Sequence, residues 1–173
     1  ISGYAVPVRE HFLAGLDYQE RLARFLENHD EPRAAKEFPF GKHKAAAVIT
    51  FVSPGLRFFH QGQFEGKKTH ISPHLIRAPK EHVVEEIQQF YDKFLEVLKT
   101  PVVRDGTWSM VECRPAWDGN ESHREILSFY WAMEDGPMAL VVVNYADHNS
   151  LCCVQLTRPN IGGRTIRLRD MQG

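Results

Sequence analysis

Residues Arg24–Arg33 read R-F-L-E-N-H-D-E-P-R. Bulky residues lead into Asn28, His29 and Asp30. Pro32 then stops any regular element, because its ring removes a backbone donor and fixes φ. An amide, an imidazole and a carboxylate therefore arrive consecutively where an element ends. Polar side chains at such a place on a rigid scaffold can form a binding edge. The same residues also suit a polar turn that caps the next segment, since Asn, Asp and Pro are common turn residues. Periodicity adds a second ambiguity, because Leu22, Phe25 and Leu26 would let a helix run through the same stretch.

A chain of 173 residues, 43% hydrophobic and 25% charged, has an ordinary globular composition with room for one domain or two small ones. A net charge of −1 gives no electrostatic footprint for nucleic acid or for a membrane surface. The basic run Arg164, Arg167 and Arg169 reads as a solvated strand face. The longest apolar run, Ala45 to Val52, is interrupted by Thr50 and falls far short of the roughly 20 residues of a spanning helix. No signal-peptide pattern is visible. Cys152 and Cys153 are adjacent and could bridge each other only with severe strain, and Cys113 stands alone. Three reduced, mostly buried thiols in a cytoplasmic protein are the expectation. No C-x-x-C or H-x-x-x-H spacing is read as a metal site, and neither a metal site nor a cofactor is expected.

Residues 6–15 are predicted to be helical, with Pro7 in the first turn, Val8, Phe12, Leu13 and Leu16 at helical spacing, and Gly15 near the stop. Asp17 to Glu20 read as a polar break. Lys42 to Val52 make a helix with Ala45, Ala46, Val48, Ile49 and Val52 on its apolar side, ended by Ser53, Pro54 and Gly55. Leu56 to His60 read as a short buried strand, and Gln61 to Pro79 as a long polar connection. Residues 81–99 give the clearest helix. Val83, Val84, Ile87, Phe90, Tyr91, Phe94, Leu95 and Leu98 keep a strict three-and-four spacing between Pro79 and Thr100-Pro101. After Pro101 the period becomes alternating. Leu127, Phe129, Trp131 and Met133 share one face, Gly136-Pro137 turns the chain, and Ala139, Val141, Val143 and Tyr145 follow. Asp147 to Asn149 make another turn before Cys152, Val154 and Leu156, and Ile166 and Leu168 come after Gly162-Gly163. Short strands joined by tight polar turns describe an antiparallel sheet or sandwich.

Residues 25–30, F-L-E-N-H-D, resemble the F-x-x-N-H-D segment of the α-amylase family of glycoside hydrolases, which in that family ends the seventh strand of a TIM barrel. Residues 53–62, S-P-G-L-R-F-F-H-Q-G, are similar to that family's S-x-P-G-x-P-x-x-Y-x-G segment on the eighth strand. The two matches come in the expected order with a helical stretch between them. By motif the resemblance covers roughly residues 20–100, and by pattern the remainder. It implies a strand over about 23–28, against the helical propensity there, and a right-handed βαβ unit from strand, helix and strand. The fold it implies is α/β plus all-β. The last βα units of a TIM barrel would occupy residues 1–103, with 81–99 as the eighth barrel helix, and a C-terminal antiparallel β-sandwich domain would occupy 104–173. A whole barrel takes about 250 residues, so the chain reads as a piece of a longer protein.

Retaining glycosidases place a nucleophile and an acid/base carboxylate about 5–5.5 Å apart. The resemblance implies that Asp30 is a third carboxylate, which bonds sugar hydroxyls and stabilises the transition state. A fixed anion beside a forming oxocarbenium ion favours charge that the ground state lacks. His29 would donate to a sugar hydroxyl in the same subsite, and Asn28 would orient the turn. Arg33 matches an N-H-D-x-P-R version seen in the α-glucosidase branch, where it would face the substrate entrance; a surface Arg in a loop is the other reading. His60 and Gln63 are candidates to line the pocket. Gln63 and Phe64 stand where the family often has acids, Glu65 is shifted by one, and Gly62 reads as structural. Glu27 would face the barrel wall or helix layer.

The family's G-x-R-x-D nucleophile motif and its acid/base Glu have no match here and are expected upstream of Ile1. The implied function is therefore a fragment of an enzyme acting on α-linked glucosides or α-glucans by retaining hydrolysis or transglycosylation, inactive by itself. Cut barrel edges would invite self-association. The alternative is a non-catalytic carbohydrate-binding module using Trp108, Trp117, Tyr130 and Trp131, or an inactive scaffold. Trp131 lies on an alternating apolar face and reads more simply as core.

Overall fold

The computed structural model describes residues 5–156 and 167–171. Helix α1 (Ala5–Phe12) buries Ala5, Val8 and Phe12 along one side, as its spacing predicts. The expected polar break at Asp17–Glu20 is instead a short helix, α2 (Leu16–Glu20). Gly15, at φ +92°, turns the chain into it. The fully buried Gln19 anchors it by donating from Nε2 to the His11 carbonyl at 2.6 Å. A polar composition hides this helix because its one buried side chain is a satisfied amide.

The strand expected over 23–28 is realised only as β1 (Ala23–Arg24), which pairs in parallel with β2 (Leu56–Arg57). The pairing is extended by Leu56 N–H donating to the Leu22 carbonyl and Phe58 N–H to the Arg24 carbonyl. Farther on, the N–H groups of Asp30 and Glu31 are taken by Asn28 and that of Ala34 by Glu27, so the chain there follows a turn and not a ladder. Gly55, at φ +116°, closes the approach of the two strands. A Cβ there would lie 2.5 Å from the Leu22 carbonyl oxygen. β2 is not the buried strand expected over 56–60, because Leu56 and Phe58 are exposed.

Two helices link the parallel strands, α3 (Ala34–Glu37) and α4 (Phe40–Phe51), giving a β-α-β unit. The second begins two residues before the expected 42. It buries His43, Ala46, Ala47, Ile49, Thr50 and Phe51. Helix α5 (Glu85–Leu98) buries Ile87, Phe90, Tyr91, Phe94 and Leu98 of the stripe read from the sequence, while Val83 lies before it and is exposed. It starts four residues later than expected because tertiary bonds hold the residues before it. The Glu81 carboxylate accepts from Lys68 N–H at 2.8 Å and from Thr69 N–H, and Val84 N–H donates to the Glu65 carbonyl. Thr100-Pro101 does not end helical structure either. Pro101 sits at the first position of α6 (Pro101–Asp105), where its missing donor costs nothing.

The remainder is antiparallel. β3 (Thr107–Met110), β5 (Ile126–Ala132) and β6 (Met138–Asn144) form one sheet in the order β3-β5-β6, while β4 (Glu112–Arg114) pairs with β7 (Cys153–Gln155). The register sets Trp108 opposite Trp131 and Phe129 opposite Val141. The expected turn at Gly136-Pro137 closes the β5–β6 hairpin. Of the last expected strand, Gly162, Gly163 and Ile166 lie outside the described residues, and Leu168 is exposed. Cys113, Cys152 and Cys153 are free, but Cys153 is exposed and the other two only half-buried, so the expectation of mostly buried thiols does not hold. Burial, with Cys152 beside it, pushes the Cys113 thiol up to about 12.

One core joins the helices to the three-stranded sheet, running from Ala5 and Phe12 through Phe51 and Phe94 to Phe129 and Tyr145. Phe12 meets the rings of Trp108 and Phe129 edge-on, and the Trp131 indole donates to the Val52 carbonyl at 2.6 Å. The fold is thus mixed helix and sheet with antiparallel sheets. Among the described residues no helix is long and apolar enough to cross a membrane.

Candidate functional site

Because β1 and β2 are parallel, the segments that follow them emerge on the same side of the sheet. After β1 comes the Asn-His-Asp turn. Asn28 Oδ1 accepts from the N–H groups of Asp30 and Glu31, both at 2.8 Å, and so builds an Asx-type turn. The side chains of His29 and Asp30 point outward, 61% and 75% exposed, with Nε2 and Oδ2 3.3 Å apart. After β2 comes the long connection, and His70 reaches back from it to donate from Nε2 to the His29 carbonyl at 2.8 Å.

Behind this exposed turn lies a buried polar network. Glu27 is wholly buried. Its Oε2 accepts from Ala34 N–H at 2.7 Å, and its Oε1 lies 3.0 Å from Arg33 Nη1. Ala34 N–H is the first donor of α3 and has no partner within that helix, so Glu27 supplies the cap that Arg33, the N-cap residue, does not. Arg33 is turned inward and only 4% exposed. Its Nη1 donates to His60 Nδ1 at 2.6 Å, its Nη2 to the Gln61 carbonyl at 2.9 Å and its Nε to the Lys67 carbonyl at 3.3 Å. Gln63, equally buried, accepts from His60 N–H at 3.3 Å and donates from Nε2 to the Tyr91 hydroxyl at 2.8 Å. That hydroxyl lies 2.9 Å from His43 Nε2 on α4.

Donor counting fixes the protonation. A guanidinium only donates, so His60 Nδ1 accepts and carries no proton. Partial burial and then the Arg33 charge hold this imidazole below its ordinary value. The 3.5 Å approach of His60 to Glu27 is therefore not a pair of full charges. The Tyr91 hydroxyl receives from Gln63, so its own proton is free for His43 Nε2. Burial lowers His43, partly offset by the Ala34 backbone, and burial raises the Tyr91 hydroxyl. Burial also pushes the Glu27 carboxyl up, with Ala34 N–H and then Arg33 drawing it back. Gly62 makes room for the network at φ +87°, where a Cβ would lie 2.5 Å from Arg33 Nη2 and 2.6 Å from Lys67 Cδ.

The structure therefore gathers Asn28, His29, Asp30, Arg33, His60 and Gln63 in one region but on two levels. His29 and Asp30 are outside, Arg33 and Gln63 inside, and His60 lies at the rim with 26% of its side chain exposed. Glu27, Tyr91 and His43 complete the inner level. Clefts of ≈ 350 Å³ between α1, β1 and α4, and of ≈ 390 Å³ beside Lys42 and Asn144, lie elsewhere. His70 and His74 stand four apart in sequence, yet no group of three or more metal-ligating side chains forms among the described residues. Of the four aromatics considered as a sugar platform, Trp108 and Trp131 are core and Trp117 is exposed.

No protein-family model matches the chain, and no curated protein does. Among solved structures, a noncanonic maltogenic alpha-amylase from Thermotoga neapolitana is similar at 24% identity with a TM-score of 0.56. The match covers 71% of this chain and 28% of that one, so it spans less than a third of that enzyme's length. At this identity the likeness is one of fold.

Proposed function

We propose that the chain is part of a glycoside hydrolase of the α-amylase type, acting on α-linked glucosides or α-glucans with retention of configuration. In this reading residues 1–103 carry the last βα units of a barrel and 104–173 a C-terminal β-sandwich domain. The observation that carries it is the pairing of β1 with β2. Parallel strands put the Asn28–Asp30 turn and the His60–Gln63 segment at neighbouring carboxyl ends, where sites on parallel sheets are built. The fold likeness to the maltogenic amylase supports the same reading.

Asp30 then supplies the anion that stabilises a developing oxocarbenium ion, and His29 donates to a sugar hydroxyl. Asn28 shapes the turn, His60 meets the substrate at the rim, and Arg33 and Gln63 support the site from behind. The nucleophile and acid/base carboxylate belong to other parts of the enzyme, so these 173 residues alone turn nothing over. Leu56 and Phe58, exposed on the parallel pair, belong to the edge through which cut barrel units would self-associate. The test is α-glucoside turnover by the natural protein that carries these residues, with and without Asp30→Asn. Loss of about 10²-fold or more in kcat is expected for removal of a group that acts on transition-state charge, and unchanged turnover removes Asp30 from the chemistry.

A further inference from the structure

The Asx bonds of the exposed turn are internal to it, and they do not fix where the turn sits on the body of the protein. His70 ties the His29 carbonyl to the segment after β2 from outside, and the residues on either side hold the turn from within. Glu27 enters the turn and Arg33 leaves it, and the two meet at 3.0 Å with side chains 1% and 5% exposed. Glu27 also holds Ala34 N–H at 2.7 Å, so the excursion 28–32 is closed at its base by two contacts from one carboxylate. Arg33 carries the closure onward. It binds His60, the Gln61 carbonyl and the Lys67 carbonyl, all in the segment after β2. Gln63 and Tyr91 then tie that segment to α5, and His43 ties it to α4.

A charged pair is not needed here for stability, since an apolar pair of similar volume commonly serves a fold as well or better. What the charged pair adds is direction. A planar guanidinium with three acceptors has one satisfactory orientation. We infer that Glu27 and Arg33 are positioning residues, with His60 at the rim accepting from Arg33. The buried pair clasps the 28–32 excursion and sets the Asp30 carboxylate in one place relative to the segment after β2. This inference rests on the reading of Asp30 as a substrate-facing carboxylate. Displacing a reacting group by about 1 Å can cost about 10²-fold in rate, so such a clasp matters to turnover.

The decisive variant is Glu27→Met with Arg33→Met in the natural protein that carries these residues. Removing both charges avoids leaving one buried and unpaired. A purely structural pair predicts unchanged turnover once the fold is kept. The clasp predicts that in the folded variant kcat falls about 10- to 100-fold while KM stays within about threefold. It also predicts that backbone order parameters of residues 28–31 drop from a rigid level of about 0.85 to below about 0.6. Turnover and order parameters both unchanged overturn it.

If the double variant does not fold, His60→Ala at the rim removes one Arg33 acceptor. A smaller loss of order in 28–31 is then expected, and no change overturns the inference. Asp30→Asn is measured alongside. If it leaves turnover unaffected, the reading of Asp30 fails while the order parameters still judge the clasp. If it lowers turnover but the double variant changes nothing, the clasp alone fails.

Discussion

The two levels of the site differ in what holds them. The Asn28–Asp30 turn is exposed and made by bonds between residues two and three apart. The network behind it is buried and made by bonds between residues up to 48 apart. The outer level can be changed with little consequence for folding, and it is where a ligand could be met. The inner level cannot lose one member without leaving a buried charge or amide unanswered. If His29 and Asp30 act and the buried residues place them, the two levels should answer differently to mutation.

Glu27→Ala should have the largest effect on stability, because it strands Arg33 as a buried cation. A loss of about 3–5 kcal/mol in urea unfolding is expected. Tyr91→Phe removes the hydroxyl between Gln63 and His43, with an expected loss of about 1–3 kcal/mol by the same measurement. Gly62→Ala places a methyl against Arg33 at a positive φ, and about 1–2 kcal/mol is expected from the backbone alone. At the outer level, Asp30→Asn should change unfolding by no more than about 0.5 kcal/mol, since its side chain is exposed. A large loss there would erase the distinction between the levels.

Acidity probes the inner level without mutation. Burial holds His43 below the ordinary histidine value of 6.5, so the unfolded chain takes up a proton below that pH which the folded chain refuses. Its contribution therefore falls as pH drops below 6.5, by at most about 1.4 kcal/mol per pH unit. Glu27 acts in the opposite sense. Its raised carboxyl favours the fold at low pH, and that contribution is lost as pH rises from 4.5 through the folded value. Urea unfolding between pH 5.5 and 7.5 should show the summed slope of His43, His60 and His11, all held below 6.5, and His43→Gln should reduce it.

What the sequence made legible follows the range of the forces involved. The stripe of α5 and the alternation of β6 are local patterns with one more buried face, and the structure keeps them. β5 instead is buried on both faces, which its alternating apolar residues did not announce. The start of α5 was hidden because Glu81, which looks like a first-turn acid, spends its oxygens on Lys68 and Thr69 N–H. Helix α2 was hidden because its buried residue is Gln19. At the site, Asn28, His29 and Asp30 announce a turn by residue type. Nothing local announces that Glu27 reaches Arg33, or that Tyr91 meets both Gln63 and His43. The available signal was an acid inside an apolar lead-in with an arginine six residues later, a pair that burial would force together.

The central claim is that Asp30 acts on charge in the transition state, and differential binding tests it most directly. In the natural protein, a cationic iminosugar inhibitor and a neutral maltooligosaccharide are titrated against the parent and against Asp30→Asn. The expected result is a loss of about 10²-fold for the cation, with the neutral sugar changed by no more than about threefold. Equal weakening of both, or of neither, would contradict it.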